Sequence, residues 1–408
     1  MKIALISFHS SPLETLGEKD AGGMNVYIQR LSQGLNELDH SVDIFSRAFD
    51  PESANIEFQD ENKFESIVRN FHFNAGPYDL KKSQFIDFVD EFVEKVISFC
   101  NKNDLKYDLI SSHYWLSAII GQKLSDYWQI PHVTTFHTLA EIKLSLGVED
   151  GTDLQFRSKS EKEIIQSVDA IVVSTDLEKQ DLISKYGALE TKIHSISPGV
   201  NLDLFKSIDR NESRRILNLD LQENIVLFVG RIDSLKGIDY LVEAMRQLGQ
   251  KFPFRLQVVG GSLDASPELN ELKSKIQEAD LTDRVDIIGS VSQEKLVYYY
   301  NSCDIFVMPS LHESFGLAAL EAMACGISVV VSDVGGLKTF VTDSETGFLV
   351  APANANEIAV RIALLLENDS LRNQMGEKAQ IEARSRTWEI TSREIALLYS
   401  NLVKSPNI

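Results

Sequence analysis

At 408 residues the chain is too long for one ordinary hydrophobic core, so two domains or slightly more are expected. Its residues are 43% hydrophobic and 25% charged, as in soluble globular proteins, and no apolar run reaches bilayer length, so no integral membrane segment is expected. A formal net charge of −20 argues against nucleic-acid binding, which depends on basic groups, yet a few local cations and helix ends can still hold a small anion.

Ile3 to Ser7 reads as a short buried strand, since the apolar N-terminal run turns polar too early for a secretory signal. A polar loop from His9 to Gly23 follows, and Val26, Ile28, Leu31, Leu35 and Leu38 then recur at helical spacing. Val42 to Phe45 returns to strand character, giving the strand-loop-helix-strand opening of a parallel sheet. An amphipathic helix is predicted over Lys82 to Cys100. Strands are predicted at 108–112, 132–136, 170–174 and 193–196. The first two end in His113-Tyr114-Trp115 and His137-Thr138, at carboxyl ends of parallel strands, where open α/β sheets bind ligands.

Ser197-Pro198-Gly199-Val200 interrupts the pattern and marks a domain junction. Alternation resumes with strands at 225–230, 254–259, 285–288, 305–308 and 328–331, separated by helices near 237–252, 267–279, 293–302 and 316–324. From Asn356 onward the chain reads as helical, restarting at Ile390 after Arg386-Thr387-Trp388. The expected architecture is α/β, with two doubly wound, Rossmann-like domains facing each other across a cleft. Their expected bounds are 1–200 and 201–387, the first joined by a terminal helix at 388–408. Cys100, Cys303 and Cys325 are far apart and lie in or beside apolar segments, so buried free thiols in a reducing cytoplasm are expected.

The most informative stretch runs from His312 to Gly326. Glu313 and Glu321 flank a strand-to-helix turn in which Gly316 stands where the helix should begin, and a helix start there offers N–H groups and a dipole end to an anion. Glu321 sits among Leu317, Ala318, Leu320 and Ala324, so its carboxylate needs a hydrogen-bonding partner, for which the vicinal hydroxyls of a ribose are suited. Gly230-Arg231-Ile232-Asp233-Ser234-Leu235-Lys236-Gly237 follows the first strand of the second half. Arg231 and Lys236 could clamp a diphosphate there, and a solvated basic loop is the plainer alternative. No Walker motif, HExxH or GxSxG occurs, and the histidines show no metal-ligand spacing, so no metal site is expected.

With these residues the second half resembles the retaining GT-B glycosyltransferases, through the Glu-x7-Glu element and the upstream Gly-Arg…Lys-Gly loop. His9-Ser10-Ser11-Pro12-Leu13 with Asp20-Ala21-Gly22-Gly23-Met24-Asn25 is similar to the D-inositol-3-phosphate glycosyltransferases of mycothiol biosynthesis. Sucrose-phosphate synthases share the layout but usually carry Gly-Gly-Gln where this chain has Gly-Gly-Met-Asn.

The resemblance implies roles by position. Arg231 and Lys236 would hold the donor diphosphate, Glu321 the ribose, and Glu313 with the amides of Phe315, Gly316 and Leu317 the transferred sugar and phosphate. Gly23 would let the donor phosphate approach, and the backbone at Val291 would read the uracil. His9, Asp20, Asn25, Lys82 (or Lys81), Tyr114, Thr138 and Arg157 would form the acceptor site, with His137 beside the reacting sugar. Tyr114 and Thr138 as ordinary polar strand ends, and Arg157 as an exposed helix residue, are the plain alternatives. The implied partners are a UDP-sugar, UDP-N-acetylglucosamine first, and a phosphorylated polyol or sugar such as inositol phosphate. No cofactor is required; magnesium and a homodimer are left open. Another acceptor on the same fold, such as fructose 6-phosphate or a lipid or polysaccharide sugar, is the main alternative, ahead of a non-catalytic nucleotide-sugar-binding protein.

Overall fold

The computed structural model describes residues 1–12, 22–51, 68–147, 153–249, 251–264 and 266–404. They divide into two compact units. The first takes the N-terminal strand, Gly23–Ser197 and the helix that begins at Trp388, and the second is Pro198–Thr387.

The first unit is built on β1 (Lys2–Ser7), β2 (Ser41–Arg47), β3 (Arg69–Phe73), β4 (Leu109–His113), β5 (His132–Thr135), β6 (Ala170–Val173) and β7 (Ile193–Ser195). They pair in parallel in the order β3-β2-β1-β4-β5-β6-β7. Strands of such a sheet are covered on both faces, and Ile3, Ala4, Leu5 and Ile6 are accordingly all fully buried. The order reverses direction between β1 and β4. The loops leaving those two strands therefore open the crevice where doubly wound sheets bind ligands.

The second unit repeats the design with β8 (Ile225–Val229), β9 (Arg255–Val259), β10 (Val285–Gly289), β11 (Ile305–Met308), β12 (Val329–Ser332) and β13 (Gly347–Val350). Their order is β10-β9-β8-β11-β12-β13, again all parallel, with the reversal between β8 and β11.

Three local differences from the predicted elements have physical causes. The single helix expected over Lys82 to Cys100 is a 3-10 segment, Lys82–Phe88, followed by an α-helix, Val89–Lys102. The break is at Phe88, whose ring lies over Gly76, where an added Cβ would meet it at 2.6 Å. The helix expected from Gly237 begins instead at Ile238, because Gly237 adopts φ +65. The pattern also did not single out β3 and β13. β3 mixes polar residues with aromatics, Arg69-Asn70-Phe71-His72-Phe73, and β13 is only four residues long and opens on Gly347, so neither shows a continuous apolar run.

The terminal helix Trp388–Lys404 packs on the helix Gly23–Glu37 of the first unit. Gly34 makes room for it: a Cβ there would lie 2.1 Å from Ser392 Oγ. Tyr399 then reaches the sheet, its hydroxyl 2.7 Å from Ser111 Oγ on β4. All three cysteines are free and buried. Among the described residues no helix is long and apolar enough to cross a membrane, and no group of three or more His, Cys, Asp or Glu could hold a metal.

Candidate active site

In the second unit the loops at the reversal point carry the charged residues singled out in the sequence. The loop after β8 holds Arg231 and Lys236, and the loop after β11 holds Glu313. The two loops lie against each other. Leu311 N donates to Leu235 O at 2.7 Å, and a Cβ on Gly237 would meet Pro309 O at 2.1 Å. This contact brings Lys236 Nζ to 2.5 Å from Glu313 Oε2, with both side chains mostly buried. Arg231 pairs with Asp233 at 3.2 Å. Asp233, which the sequence did not mark, also caps the 3-10 turn Ser234–Lys236 by accepting from Lys236 N. Both candidate diphosphate cations are thus held by carboxylates.

Gly316 adopts φ +103 and opens the helix Leu317–Ala324, whose N-terminus carries no capping side chain. Its first-turn amides are of the kind that bind anions. A second glycine pair, Gly335-Gly336, supports this turn from the loop after β12. A Cβ on Gly335 would lie 1.7 Å from Glu313 O, and one on Gly336 2.4 Å from the Phe315 Cα. Gly336 N donates to Glu313 O at 3.1 Å. Phe315 is buried, while Leu317 stays half-exposed. Glu321 is 7% exposed on the inner face of the same helix, and Tyr300 Oη donates to its Oε2 at 2.8 Å. The partner required for a buried carboxylate is therefore supplied at least in part by the protein. Val291 follows β10, half-buried against the core. Nearby, Ser290 Oγ donates to Gly261 O at 3.0 Å.

In the first unit Tyr114, Thr138 and Arg157 converge. Arg157, on the helix Leu154–Ser167, is fully buried, not an exposed helix residue. Its Nη1 donates to Tyr114 Oη at 3.2 Å, and its Nη2 to Thr138 O and Oγ1 at 2.6 and 2.9 Å. Its Nε donates to Glu161 Oε1 at 2.7 Å. Glu161, also fully buried, accepts in addition from Ala140 N at 2.9 Å and Tyr186 Oη at 2.5 Å. The Arg157 guanidinium lies 4.8 Å from the Tyr114 ring centroid, and the His9 ring packs on that ring at 3.9 Å, tilted by 33°. Tyr114 itself adopts φ +79, an unusual backbone for a tyrosine at the end of β4.

The remaining predicted residues divide. Asn25 is fully buried, and its amide is engaged by Ser10 Oγ and Ser11 O, at 2.9 and 2.6 Å. It thus holds the loop after β1 in place. Gly23 opens its helix and is exposed. Lys82 starts the 3-10 segment, half-buried, and Asp20 lies outside the described residues. His137 adopts φ +61, and its Nε2 lies 3.0 Å from His113 Nδ1. The Tyr27 ring packs on both imidazoles, at 5.1 and 5.6 Å. Burial pushes His137 down to about 3, and burial beside His137 holds His113 well below the ordinary histidine range.

Sequence reasoning placed His113 at a ligand-facing strand end without giving it a role, and it missed Asp233, Tyr300, Glu161 and the Gly335-Gly336 pair as members of these sites. Only the glycine pair had a local signal.

Comparison with known proteins matches this geometry to a family. Residues 21–204 match Glycosyltransferase Family 4, and residues 209–382 match Glycosyl transferases group 1. The chain is 36% identical to the D-inositol 3-phosphate glycosyltransferase of Corynebacterium jeikeium, covering 98% of this chain and 97% of that one. It is 35% identical to the Corynebacterium glutamicum enzyme of the same name, covering 100% and 98%. The solved structure of sucrose-phosphate synthase from Thermosynechococcus elongatus superposes with a TM-score of 0.90 at 32% identity, over 98% of each chain. Likeness at this level, through both units and nearly every residue, makes the chain a glycosyltransferase: it belongs to the GT-B family that includes the D-inositol 3-phosphate glycosyltransferases.

Proposed function

We propose that this enzyme transfers N-acetylglucosamine from UDP to a phosphorylated polyol such as 1D-myo-inositol 3-phosphate, with retention of anomeric configuration. The observation that carries the acceptor half is the Tyr114–Thr138–Arg157 cluster, a buried guanidinium held beside a phenol and a hydroxyl. That donor set suits a phosphate. The relatives' shared name, D-inositol 3-phosphate glycosyltransferase, supports the same acceptor.

For the donor, Arg231, Lys236 and the helix start at Gly316 supply positive potential from fixed positions. Such preorganised groups stabilise charge on the departing diphosphate without reorganisation during the reaction. As the diphosphate takes Lys236, Glu313 becomes available to hydroxyls of the transferred sugar. The leaving diphosphate, on the same face as the incoming hydroxyl, accepts its proton, so no protein nucleophile is needed. No cofactor is part of this scheme.

UDP release across a panel of donors and acceptors tests the proposal. UDP-N-acetylglucosamine with inositol 3-phosphate is expected to exceed all other pairs by roughly tenfold or more. The second reading, with fructose 6-phosphate as acceptor, is favoured by the likeness to sucrose-phosphate synthase, and a preference for that acceptor would establish it. Lys236→Ala is expected to lower turnover by about a hundredfold. Near-normal turnover in a folded Lys236→Ala protein removes the diphosphate role.

A further inference from the structure

Tyr300 lies on the helix Gln293–Ser302 and Glu321 on the helix Leu317–Ala324, and both side chains are buried. The Tyr300 ring is fixed between Phe205 and Phe306, each with its centroid 5.8 Å away. Its hydroxyl donates to Glu321 Oε2 at 2.8 Å. Burial and the adjacent carboxylate push the phenol well above its ordinary range, so Tyr300 remains a donor at neutral pH. A ring locked by packing, donating to one named oxygen, fixes the rotation of that carboxylate.

We propose that Tyr300 is the positioning residue for nucleotide selection: by holding Glu321, it presents the carboxylate to the vicinal hydroxyls of the donor ribose and so selects ribonucleotides over 2′-deoxyribonucleotides. This rests on the reading of Glu321 as the ribose-binding residue. Two adjacent hydroxyls can share one carboxylate only when its plane is held toward both. A carboxylate that rotates freely grips one hydroxyl nearly as well as two. Charge-assisted hydrogen bonds of this kind are each worth about a tenfold or greater change in affinity. Tyr300 does not touch the nucleotide in this scheme, so its removal lowers selectivity more than it lowers catalytic capacity.

The test measures binding of UDP and 2′-deoxy-UDP to the whole protein by calorimetry, for the wild type, Tyr300→Phe, Glu321→Gln and the double variant, each checked for folding. The wild type is expected to prefer UDP by roughly tenfold or more, and Tyr300→Phe to lose most of that preference. For the Tyr300→Phe enzyme, KM for the donor should rise while kcat changes little. An unaltered preference in folded Tyr300→Phe, or an equal loss of affinity for both nucleotides, overturns the proposal. A wild type that binds the two equally, or a Glu321→Gln protein that keeps the preference, defeats the ribose reading itself. Should Tyr300→Phe not fold alone, comparison of the double variant with Glu321→Gln decides the matter, since the amide leaves no buried charge unpartnered. Identical nucleotide binding by those two supports action through Glu321, and a further loss in the double variant overturns it.

Discussion

His113 Nδ1 lies 3.0 Å from His137 Nε2, so a single proton serves both nitrogens. The contact extends a buried chain. His113 Nε2 is 3.4 Å from Ser111 Oγ, which in turn lies 2.7 Å from Tyr399 Oη on the terminal helix. Since one imidazole must donate and the other accept, the tautomers of His113 and His137 are coupled. The contact also holds a residue, His137, whose backbone is at φ +61, in the left-handed region.

His113→Ala should therefore lower kcat by roughly tenfold or more while donor KM changes little. His113→Asn, whose amide can donate or accept, should recover part of the loss. Steady-state kinetics on folded variants check this. Equal kcat in wild type and His113→Ala would remove any role for the pair in turnover.

Buried neutral histidines make stability depend on pH. His113 and His132 are fully buried, and burial pushes His132 down to about 3 and His113 well below its ordinary range. Below the ordinary pKa of about 6.5 the unfolded chain takes up protons that the native rings refuse, so stability falls as pH drops from that point. The two rings together give a slope of roughly 3 kcal/mol per pH unit below about pH 6. His137, pushed down to about 3, and Glu178, pushed up to about 7, act with opposite signs over the upper part of that window. Thermal melts at pH 7.5 and 5.5 should show the fall, and His132→Gln should make it shallower. Equal melting temperatures at the two pH values would contradict this account.

Arg157 and Glu161 are each fully buried and joined at 2.7 Å. Truncating one partner strands the other's charge, at a cost of about 3–5 kcal/mol. Arg157→Ala should therefore be strongly destabilised in urea unfolding, and adding Glu161→Gln should restore part of the loss. Strict additivity of the two substitutions would mean that the charges are not coupled.

Gly237 and Gly187 provide a matched pair, with φ +65 and +67. An alanine at either adopts a disfavoured left-handed backbone, worth about 1–2 kcal/mol. Only at Gly237 does the new Cβ also meet backbone, Pro309 O at 2.1 Å; at Gly187 nothing lies within 4 Å. Gly237→Ala should displace the Arg231–Lys236 loop and raise donor KM by roughly tenfold, whereas Gly187→Ala should leave it unchanged. Similar donor KM values in the two variants would show that loop contact is not what matters.

The sequence by itself determined the fold class. Continuous apolar strands alternating with amphipathic helices can be satisfied by sheets covered on both faces, and Ile3–Ile6 and Val329–Val331 are buried as that logic requires. It also located the chemistry-bearing loops, because Gly316 after β11 and Arg231 after β8 stand where strands hand over to loops. β3 and β13 escaped, since Arg69–Phe73 mixes polar residues with aromatics and Gly347–Val350 is a four-residue strand that opens on glycine. Tertiary structure decided which side chains meet. Lys236 finds Glu313 only because β8 and β11 are neighbours in the sheet although β9 and β10 separate them in sequence, and Tyr300 finds Glu321 only because two helices pack. Arg157 could be read as exposed from its polar helix, until Glu161, Tyr114 and Thr138 enclosed it. Periodicity reports how each segment meets the core. A pairing between distant polar groups depends on sheet order and helix packing, and local pattern carries neither.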